Sequence, residues 1–329
     1  MKPSDEFRHE AQDGVRWQEN YVWHCWDAER NCGWFIHLGR IHDEGMIDVR
    51  ALVMINGKAT SATFQVSGDD CFGAPGLDVK VEIPLEKMRI RFDGKGAVGT
   101  TSDGFHGVLA GDIPFGFDIE MISEHPVVDW GPYTASAGID PLIAGNHYEQ
   151  GARWRGKLWG AGTEIEAEGL LIRDHSWGPR QWQGKWWGIW LPMVFDGGRR
   201  FISGTAMADN GVWRTFTILS DTSGVVNVSY DNWFTVTGPF VPRQYSSARV
   251  LRIGDDFTER YEYEGHAALA FMRHSSFLDA EGRPIKRGIT DMYSTVRGEG
   301  QVGFANLQHT VAASIVEEGF NNPAERWAE

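Results

Sequence analysis

The sequence has little positive charge and no long apolar segment. Its 329 residues include 31 Lys or Arg against 45 Asp or Glu, which gives a formal net charge of -14. This charge repels phosphate backbones and anionic membranes, and no Lys/Arg run offsets it locally. No segment approaches a membrane span, and the start, MKPSDEFRHEAQDGVRW, has no apolar core of signal-peptide length. We therefore predict a cytoplasmic protein with no nucleic-acid partner and no membrane span; the oligomeric state is not indicated.

Cysteine is scarce, with three residues and no CxxC pair. This excludes a dense disulfide framework. Cys25 and Cys32 flank the probable turn DAER, and a hairpin with that loop would place them opposite each other, with Trp23 facing Trp34. A disulfide is geometrically conceivable there, but two packed thiols are favoured because cytosolic thiols are kept reduced. We assign the cysteines no catalytic role.

Several sequence motifs are missing. The chain has no HExxH, no Walker loop and no GxSxG, and GKGAVG has no helix after it that would make it a phosphate cradle. The histidines of the N-terminal region show no dedicated metal-ligand spacing. The motifs therefore indicate no metal site and no phosphate-binding loop.

The chain is rich in glycine and tryptophan, with 40 and 15 residues. About fifteen short runs of alternating apolar and polar residues, without a convincing long amphipathic helix, favour antiparallel barrels or sandwiches. The stretch 123–146 carries prolines and little periodicity. We predict an N-terminal β domain over 1–130, a linker or short helical crossover over 131–146, and a C-terminal β domain over 147–329.

The stretch RDHSWGPRQWQGKWWGIW concentrates tryptophan around ionisable groups. In the run that precedes it, three Glu residues at even positions alternate with Ile165, Ala167 and Gly169. The odd face is therefore the apolar face that should point inward, and it continues to Arg173, His175 and Trp177. Asp174 points the other way unless a bulge intervenes. A break is expected at the Gly-Pro pair that comes next.

Asp174 and His175 are the main candidates for chemistry. Among indoles they would lose hydration, which raises a carboxyl pKa and keeps an imidazole neutral, so either suits general acid/base catalysis. A carboxylic acid held protonated can protonate an alkene, and aromatic faces can stabilise the carbocation. The structural alternative is an ordinary ion pair between Asp174 and Arg180, with the tryptophans as core.

Other segments supply weaker candidates. The run HYEQGARWRGKLWG places His147, Glu149, Arg153 and Arg155 on a face that is most simply a charged solvent face. Opposite that face is an apolar one. The run WWGIWLPM is apolar on both faces, as in a strand between two layers. The predicted substrate-binding residues are Trp177, Trp182, Trp187, Trp190, Tyr21, His24, Tyr148 and Glu149.

Three of these segments also carry a family resemblance. RDHSWGPRQW resembles the signature of a bacterial family of paired domains related to AttH and to carotenoid 1,2-hydratase (hydroxyneurosporene synthase). WQENYVWHCWDAERNCGWFIHLGR is similar to the opening of the first domain of that family, and HYEQGARWRGKLW to the start of the second. The resemblance implies an all-β fold of two consecutive antiparallel lipocalin-like β-barrels packed together. It also implies a pocket for a hydrophobic small molecule, with no metal or organic cofactor.

The function predicted from these features is a cofactor-independent lyase or isomerase. A hydratase or dehydratase acting on a terpenoid, steroid-like or aromatic compound is favoured within that class. Asp174 or His175 would be the acid/base group, and Arg180 would orient the acid or anchor a substrate carboxylate. Two alternatives stay open, namely a non-catalytic protein that binds a hydrophobic ligand, and a cyclase or pericyclase that works through pocket shape.

Overall fold

The fold was analysed in a computed structural model. The structure describes residues 1–12, 16–99, 111–141, 145–180, 186–209, 212–230, 232–235, 249–253, 260–273 and 287–312. Strands dominate these residues, and they form two antiparallel sheets. The predicted all-β antiparallel architecture is confirmed.

The first sheet contains the strands up to residue 179, and its members are β1 (Trp17–Asp27), β2 (Cys32–Ile41), β3 (Met46–Ile55), β4 (Lys58–Ser67), β5 (Leu77–Ile83), β6 (Lys87–Gly99), β7 (Ile113–Ile122), β8 (Val128–Asp129), β9 (Asn146–Gly160) and β10 (Thr163–Pro179). Strand β10 pairs with β1 on one side and with β9 on the other. The pairing therefore runs in a circuit through eight strands, with β5 and β8 attached to it. The side chains on one face of these strands enclose an interior.

The second sheet is built from the later strands, which are β11 (Trp186–Trp190), β12 (Met193–Phe195), β13 (Arg200–Asp209), β14 (Val212–Asp221), β15 (Gly224–Ser229), β16 (Asn232–Thr235), β17 (Arg249–Ile253), β18 (Arg260–Arg273), β19 (Arg287–Gly298) and β20 (Gln301–Ala312). Their pairing runs from β15 through β13, β11 and β20 to β16. All pairings within it are antiparallel.

The chain passes from the first sheet to the second between Pro179 and Trp186. Strands β9 and β10, which we expected at the start of the C-terminal domain, hydrogen-bond to β7 and β1 of the first sheet. The predicted crossover contains the helix α1 (Gly131–Ala137), with Gly138 in the left-handed conformation after it. The domain limits stay a prediction, but the two strands before Pro179 complete the sheet that begins at Trp17. No helix among the described residues is long and apolar enough to cross a bilayer.

Several strands of the first sheet are buried on both faces. In β2, Trp34 and Ile36 pack inside the first sheet, whereas Phe35 belongs to a cluster shared with the second sheet. That shared cluster also includes Trp190 at the end of β11. The neighbouring Ile189 packs instead against the cluster inside the second sheet, as predicted for a strand between two layers. Double burial explains why these strands are apolar at nearly every position.

The register of the first hairpin differs from the prediction. Cys25 lies opposite Trp34, and Cys32 lies opposite Asp27, so the two cysteines do not face each other. The reason is that Asp27 ends β1, and its carboxylate accepts hydrogen bonds from two backbone N–H groups of the turn, at 2.9 and 3.0 Å. Such a carboxylate fixes the turn one residue later than the predicted DAER turn. The three cysteines are buried free thiols.

Gly169, where β10 approaches β1, gives a testable prediction. A Cβ atom there would lie 2.1 Å from the carbonyl oxygen of Trp26. Gly169→Ala should therefore force the two strands apart and lower the free energy of unfolding by about 1–3 kcal/mol, as measured by urea denaturation. In the control Gly73→Ala, the atom nearest to the new Cβ would be 3.9 Å away, so the free energy of unfolding should equal that of the wild type. Equal stability of both variants would contradict the close packing of β10 on β1.

Candidate functional site

Strands β9 and β10 pair without a register shift through the motif around Asp174. Glu149 lies opposite Asp174, and Tyr148 lies opposite His175. Successive side chains of a strand point to opposite faces. Asp174 and Glu149 face the second sheet, whereas His175 and Tyr148 face the interior of the first. The predicted parity of β10 is confirmed, and the two candidates belong to separate sites.

The site between the sheets, here called the intersheet group, consists of His147, Glu149 and Asp174. The Nε2 atom of His147 lies 2.7 Å from Oδ2 of Asp174 and 3.6 Å from Oε1 of Glu149. The indole N–H of Trp190 donates a hydrogen bond to Glu149 Oε1. The ring of Trp130 packs 4.1 Å from that of His147. Because Trp190 belongs to β11 and the three group members to β9 and β10, both sheets build this site.

Glu149 is an unusual carboxyl group because its side chain has no solvent exposure. Burial raises its pKa well above the ordinary value, and the nearby charge of Asp174 raises it further. The polar groups of Ser203, Trp190 and Trp130, of which Trp190 donates a hydrogen bond, act in the opposite direction but do not cancel these effects. Glu149 therefore keeps its proton at pH values where an ordinary glutamate is ionised.

Asp174 behaves in the opposite way, although it lies directly across from Glu149. Burial would raise its pKa, but attraction to His147, the close polar contact with that ring and the charge of Arg180 bring the pKa below its ordinary value. The side chain of Asp174 keeps 16% exposure. Burial lowers the pKa of Arg180 to about 10, against the opposing effect of Asp174, so the guanidinium stays cationic near neutral pH. A neutral carboxylic acid and an ionised carboxylate thus lie side by side, an arrangement typical of acid/base sites.

A second hydrogen-bonded set links the sheets next to this group. His24 Nδ1 lies 2.9 Å from the hydroxyl of Tyr293, and its Nε2 lies 3.4 Å from Nδ2 of Asn306. Asn306 donates in turn to Asp291, at 2.9 Å. Burial lowers the pKa of His24, which favours a neutral ring. The ring is 5.5 Å from that of Trp190, so His24 borders the intersheet group.

The other site, the interior group, consists of His9, Glu19 and His175. Glu19 Oε1 lies 2.8 Å from His9 Nδ1 and 3.1 Å from His175 Nε2. The ring of Tyr21 stacks on His175 at 3.9 Å, and the ring of Trp177 stacks on His9 at 3.8 Å. This group joins the N-terminal segment, β1 and β10.

Electrostatics in the interior group favour an ionised glutamate next to a neutral imidazole. Burial would raise the pKa of Glu19, but hydrogen bonds from His175 and His9 lower it to about 2. Burial lowers the pKa of His175. Arg40 Nη1 also donates to Glu19 Oε2, at 3.2 Å, and supplies a permanent positive charge.

The predicted site residues thus divide between the two groups. Those near His175 are Tyr21, Tyr148 and Trp177; those near Asp174 are Glu149, His24, Trp190 and Arg180. Trp182 lies outside the described residues, and for Trp187 the structure describes only the backbone, in β11.

One structural expectation was wrong. His147 and Glu149 were expected on a charged solvent face, but they are 6% and 0% exposed because the second sheet covers this half of β9. Further along the strand, Arg153 and Arg155 are exposed, as expected. The difference arises from a tertiary contact, and strand alternation carries no information about it.

Several residues of the two groups were missed. Glu19 had a usable signal, since it shares the odd face of β1 with Tyr21 and Trp23 and is therefore a charged residue in an inward-facing apolar row. His9 and Trp130 lie in segments without periodicity, where the sequence carries no comparable signal.

Both groups have donor atoms suited to a metal ion. The ligand atoms of His9, Glu19 and His175 lie within 4.8 Å of one another, and so do those of the intersheet group. Imidazole and carboxylate donors are those used by zinc and by other first-row divalent metals. The sequence spacing did not indicate either cluster, because each draws on distant parts of the chain.

The raised pKa of Glu149 gives a prediction about stability. When the folded-state pKa of a carboxyl is raised, stability is lost as pH rises from the ordinary carboxyl pKa toward the folded-state value. Glu149→Gln removes this loss, because the amide has the shape of the neutral acid and no proton to release. The stability of the variant relative to wild type, from urea unfolding, should therefore be greater at pH 8 than at pH 4.

The matched control is Glu166→Gln on the exposed part of β10, which should show no such difference. If the stability of Glu149→Gln relative to wild type is equal at both pH values, Glu149 is not held protonated in the folded protein.

Solved structures of three other proteins are similar in fold to this chain. An AttH protein from Nitrosomonas europaea is similar over 94% of this chain and 96% of its own, with a TM-score of 0.59 and 14% identity. Kievitone hydratase from Nectria haematococca is similar over 95% and 93%, with a TM-score of 0.53 and 14% identity. CghA is similar over 90% and 88%, with a TM-score of 0.52 and 10% identity.

The likeness extends over nearly the whole chain, and it confirms the AttH-like, lipocalin-like fold that the sequence resemblance implied. No curated protein sequence matches the chain. A family model does match residues 2–313. The chain therefore belongs to the family of that model, the domain of unknown function DUF7064.

Proposed function

We propose that this protein is a cofactor-independent enzyme of the lyase or isomerase class, and specifically a hydratase or dehydratase acting on a hydrophobic terpenoid, steroid-like or aromatic compound. The observation that carries the proposal is the pair of carboxyl groups between the sheets. Glu149 is held neutral and Asp174 is held ionised, although they are cross-strand neighbours joined through His147. General acid/base chemistry needs two such groups in one site.

Each member of the intersheet group has its own role in the hydration of an alkene. Glu149 donates its proton to one alkene carbon, and the other carbon becomes cationic. The oxygen of a water molecule bonds to that carbon, and Asp174 accepts the proton that the water releases. His147, which lies between the two carboxyls, returns this proton to Glu149. Alkene and water are consumed, one alcohol is formed, and the group is restored; dehydration takes the reverse order.

The surroundings of the carboxyls support a substrate with an apolar body. The indole rings of Trp130 and Trp190 contact His147 and Glu149 respectively, and their faces can stabilise a carbocation through cation–π attraction. Arg180, cationic beside Asp174, can hold Asp174 ionised or bind a substrate carboxylate. The name of one fold relative, kievitone hydratase, agrees with this reaction class.

In this proposal Asp174 and Glu149 carry the chemistry, and His175 does not. His175 faces the interior group, on the other side of β10 from Asp174. The rings of Tyr21 and Trp177 pack against it. His175 is therefore separated from the proposed acid by the thickness of the sheet.

Activity measurements on paired variants test the proposal. Purified protein is incubated in D₂O with a panel of isoprenoid and aromatic acids that contain an isolated alkene or a tertiary alcohol, and products are analysed by mass spectrometry. Wild-type protein should incorporate deuterium at carbon during hydration. Glu149→Gln and Asp174→Asn should each lower kcat by about 10²–10⁴-fold, the usual contribution of an acid or base, while Glu166→Gln should match wild type.

Other outcomes would point to the alternatives. Turnover without carbon-bound deuterium, retained by both variants, would replace the proposal with a cyclase or pericyclase that works through pocket shape. Binding of panel members without turnover, unchanged in both variants, would replace it with a carrier protein.

A further inference from the structure

The interior group does not take part in the proposed reaction. Glu19 in β1 and His175 in β10 are diagonal neighbours, because His175 pairs with Tyr21 and Glu19 pairs with Trp177. His9 reaches them from the N-terminal segment and is fixed by its stacking on Trp177. Three distant parts of the chain thus bring two imidazoles and a carboxylate together.

Two of the three distances between the donor atoms are close to the spacing of ligands around one ion, and all three lie within 4.8 Å. Glu19 Oε1 lies 2.8 Å from one histidine nitrogen and 3.1 Å from the other. Donors bound at about 2.1 Å to a tetrahedral or octahedral ion lie roughly 3.0–3.4 Å from one another. Small side-chain rotations therefore suffice to place an ion among them.

The residues behind the donors resemble the outer contacts of metal sites. Arg40 donates to the distal oxygen of Glu19 and leaves Oε1 facing the histidines. The other ring nitrogen of His9, Nε2, makes an ion-pair contact of 3.7 Å with Oδ1 of Asp5, which is longer than a hydrogen bond. A carboxylate behind a ligating histidine is the usual arrangement, since it orients the ring and increases its basicity.

The packing around the group limits the size of a ligand. Tyr21 stacks on His175 at 3.9 Å, and Trp177 lies 4.8 Å from the same ring. Glu19 and His175 are 0% and 1% exposed. Rings packed this closely favour a monatomic ion over an organic ligand. Two imidazoles select against calcium and magnesium, which prefer oxygen ligands, and favour zinc and its first-row neighbours.

We propose that His9, Glu19 and His175 form a binding site for a divalent first-row transition metal, of which zinc is the reference ion. The metal would hold the N-terminal segment against β1 and β10. The site lies on the face of β10 opposite the intersheet group, so its existence does not depend on the proposed function.

Metal titration of the full chain tests this inference. Protein treated with a chelator and dialysed is titrated with Zn²⁺ by calorimetry, and with Co²⁺ by visible absorption, which reports the donor set. Wild-type protein should bind one ion at this site, with d–d bands of mixed nitrogen and oxygen ligation. His9→Ala should lower the affinity at least a hundredfold, and Asp5→Asn should lower it roughly ten- to a hundredfold, as expected for a residue behind a ligand.

Two histidine variants serve as controls. His42→Gln changes a ring 3.3 Å from Arg40 that contributes no donor to the group, and it should bind metal as wild type does. His147→Gln changes the intersheet group, and it should also retain the Co²⁺ spectrum.

Folding of each variant is checked by far-UV circular dichroism, and Asp5→Asn keeps the test valid if His9→Ala is unstable. The inference is overturned if wild-type protein binds neither ion, if His9→Ala and Asp5→Asn bind as tightly as wild type, or if only His147→Gln abolishes binding.

Discussion

The burial of the second half of β10, from Leu171 onward, on both of its faces is the constraint on which the rest of the structure depends. The strand pairs with β1 and β9 along its edges and completes the first sheet. One of its faces points into the interior of that sheet, and the other packs against the second sheet. Adjacent residues of this strand therefore occupy different environments. Asp174 lies among the residues that join the sheets, and His175 lies among the aromatic residues of the interior. A one-residue change in register would exchange these two environments.

Double burial places an unusual number of charges out of water, and each has a partner close by. Arg173 binds both carboxylate oxygens of Glu6, at 2.7 and 3.1 Å, inside the first sheet. Arg40 pairs with Glu19 in the same interior. Removing one partner from such a pair leaves a buried charge without compensation, which costs far more than the pair contributes. The N-terminal segment supplies Glu6 and His9, so the order of the interior depends on a segment that contains little regular structure.

Side-chain directions within one strand can be predicted from the sequence, because they depend only on alternation. The inward direction of Arg173 and His175, and the opposite direction of Asp174, are both indicated by the apolar row that begins at Ile165. Alternation does not reveal what covers a face. For that reason Glu149 looked like a solvent-facing residue, whereas the second sheet leaves it with no exposure. The register of the first hairpin could not be predicted from alternation either, because it depends on which residue accepts hydrogen bonds from the backbone of the turn. Asp27 is that residue.

The different protonation of the two intersheet carboxyls arises from their neighbours, because burial acts to raise the pKa of both. Glu149 is fully covered and receives a hydrogen bond from the neutral indole of Trp190, which cannot compensate for the loss of water. Asp174 keeps 16% exposure and lies beside His147 and a guanidinium. Packing of the second sheet over Glu149 therefore keeps that carboxyl protonated, whereas His147 and Arg180 keep Asp174 ionised. Because the interior face of β10 is separate, substitutions on the intersheet face can alter the intersheet group without disturbing the residues that hold the first sheet together.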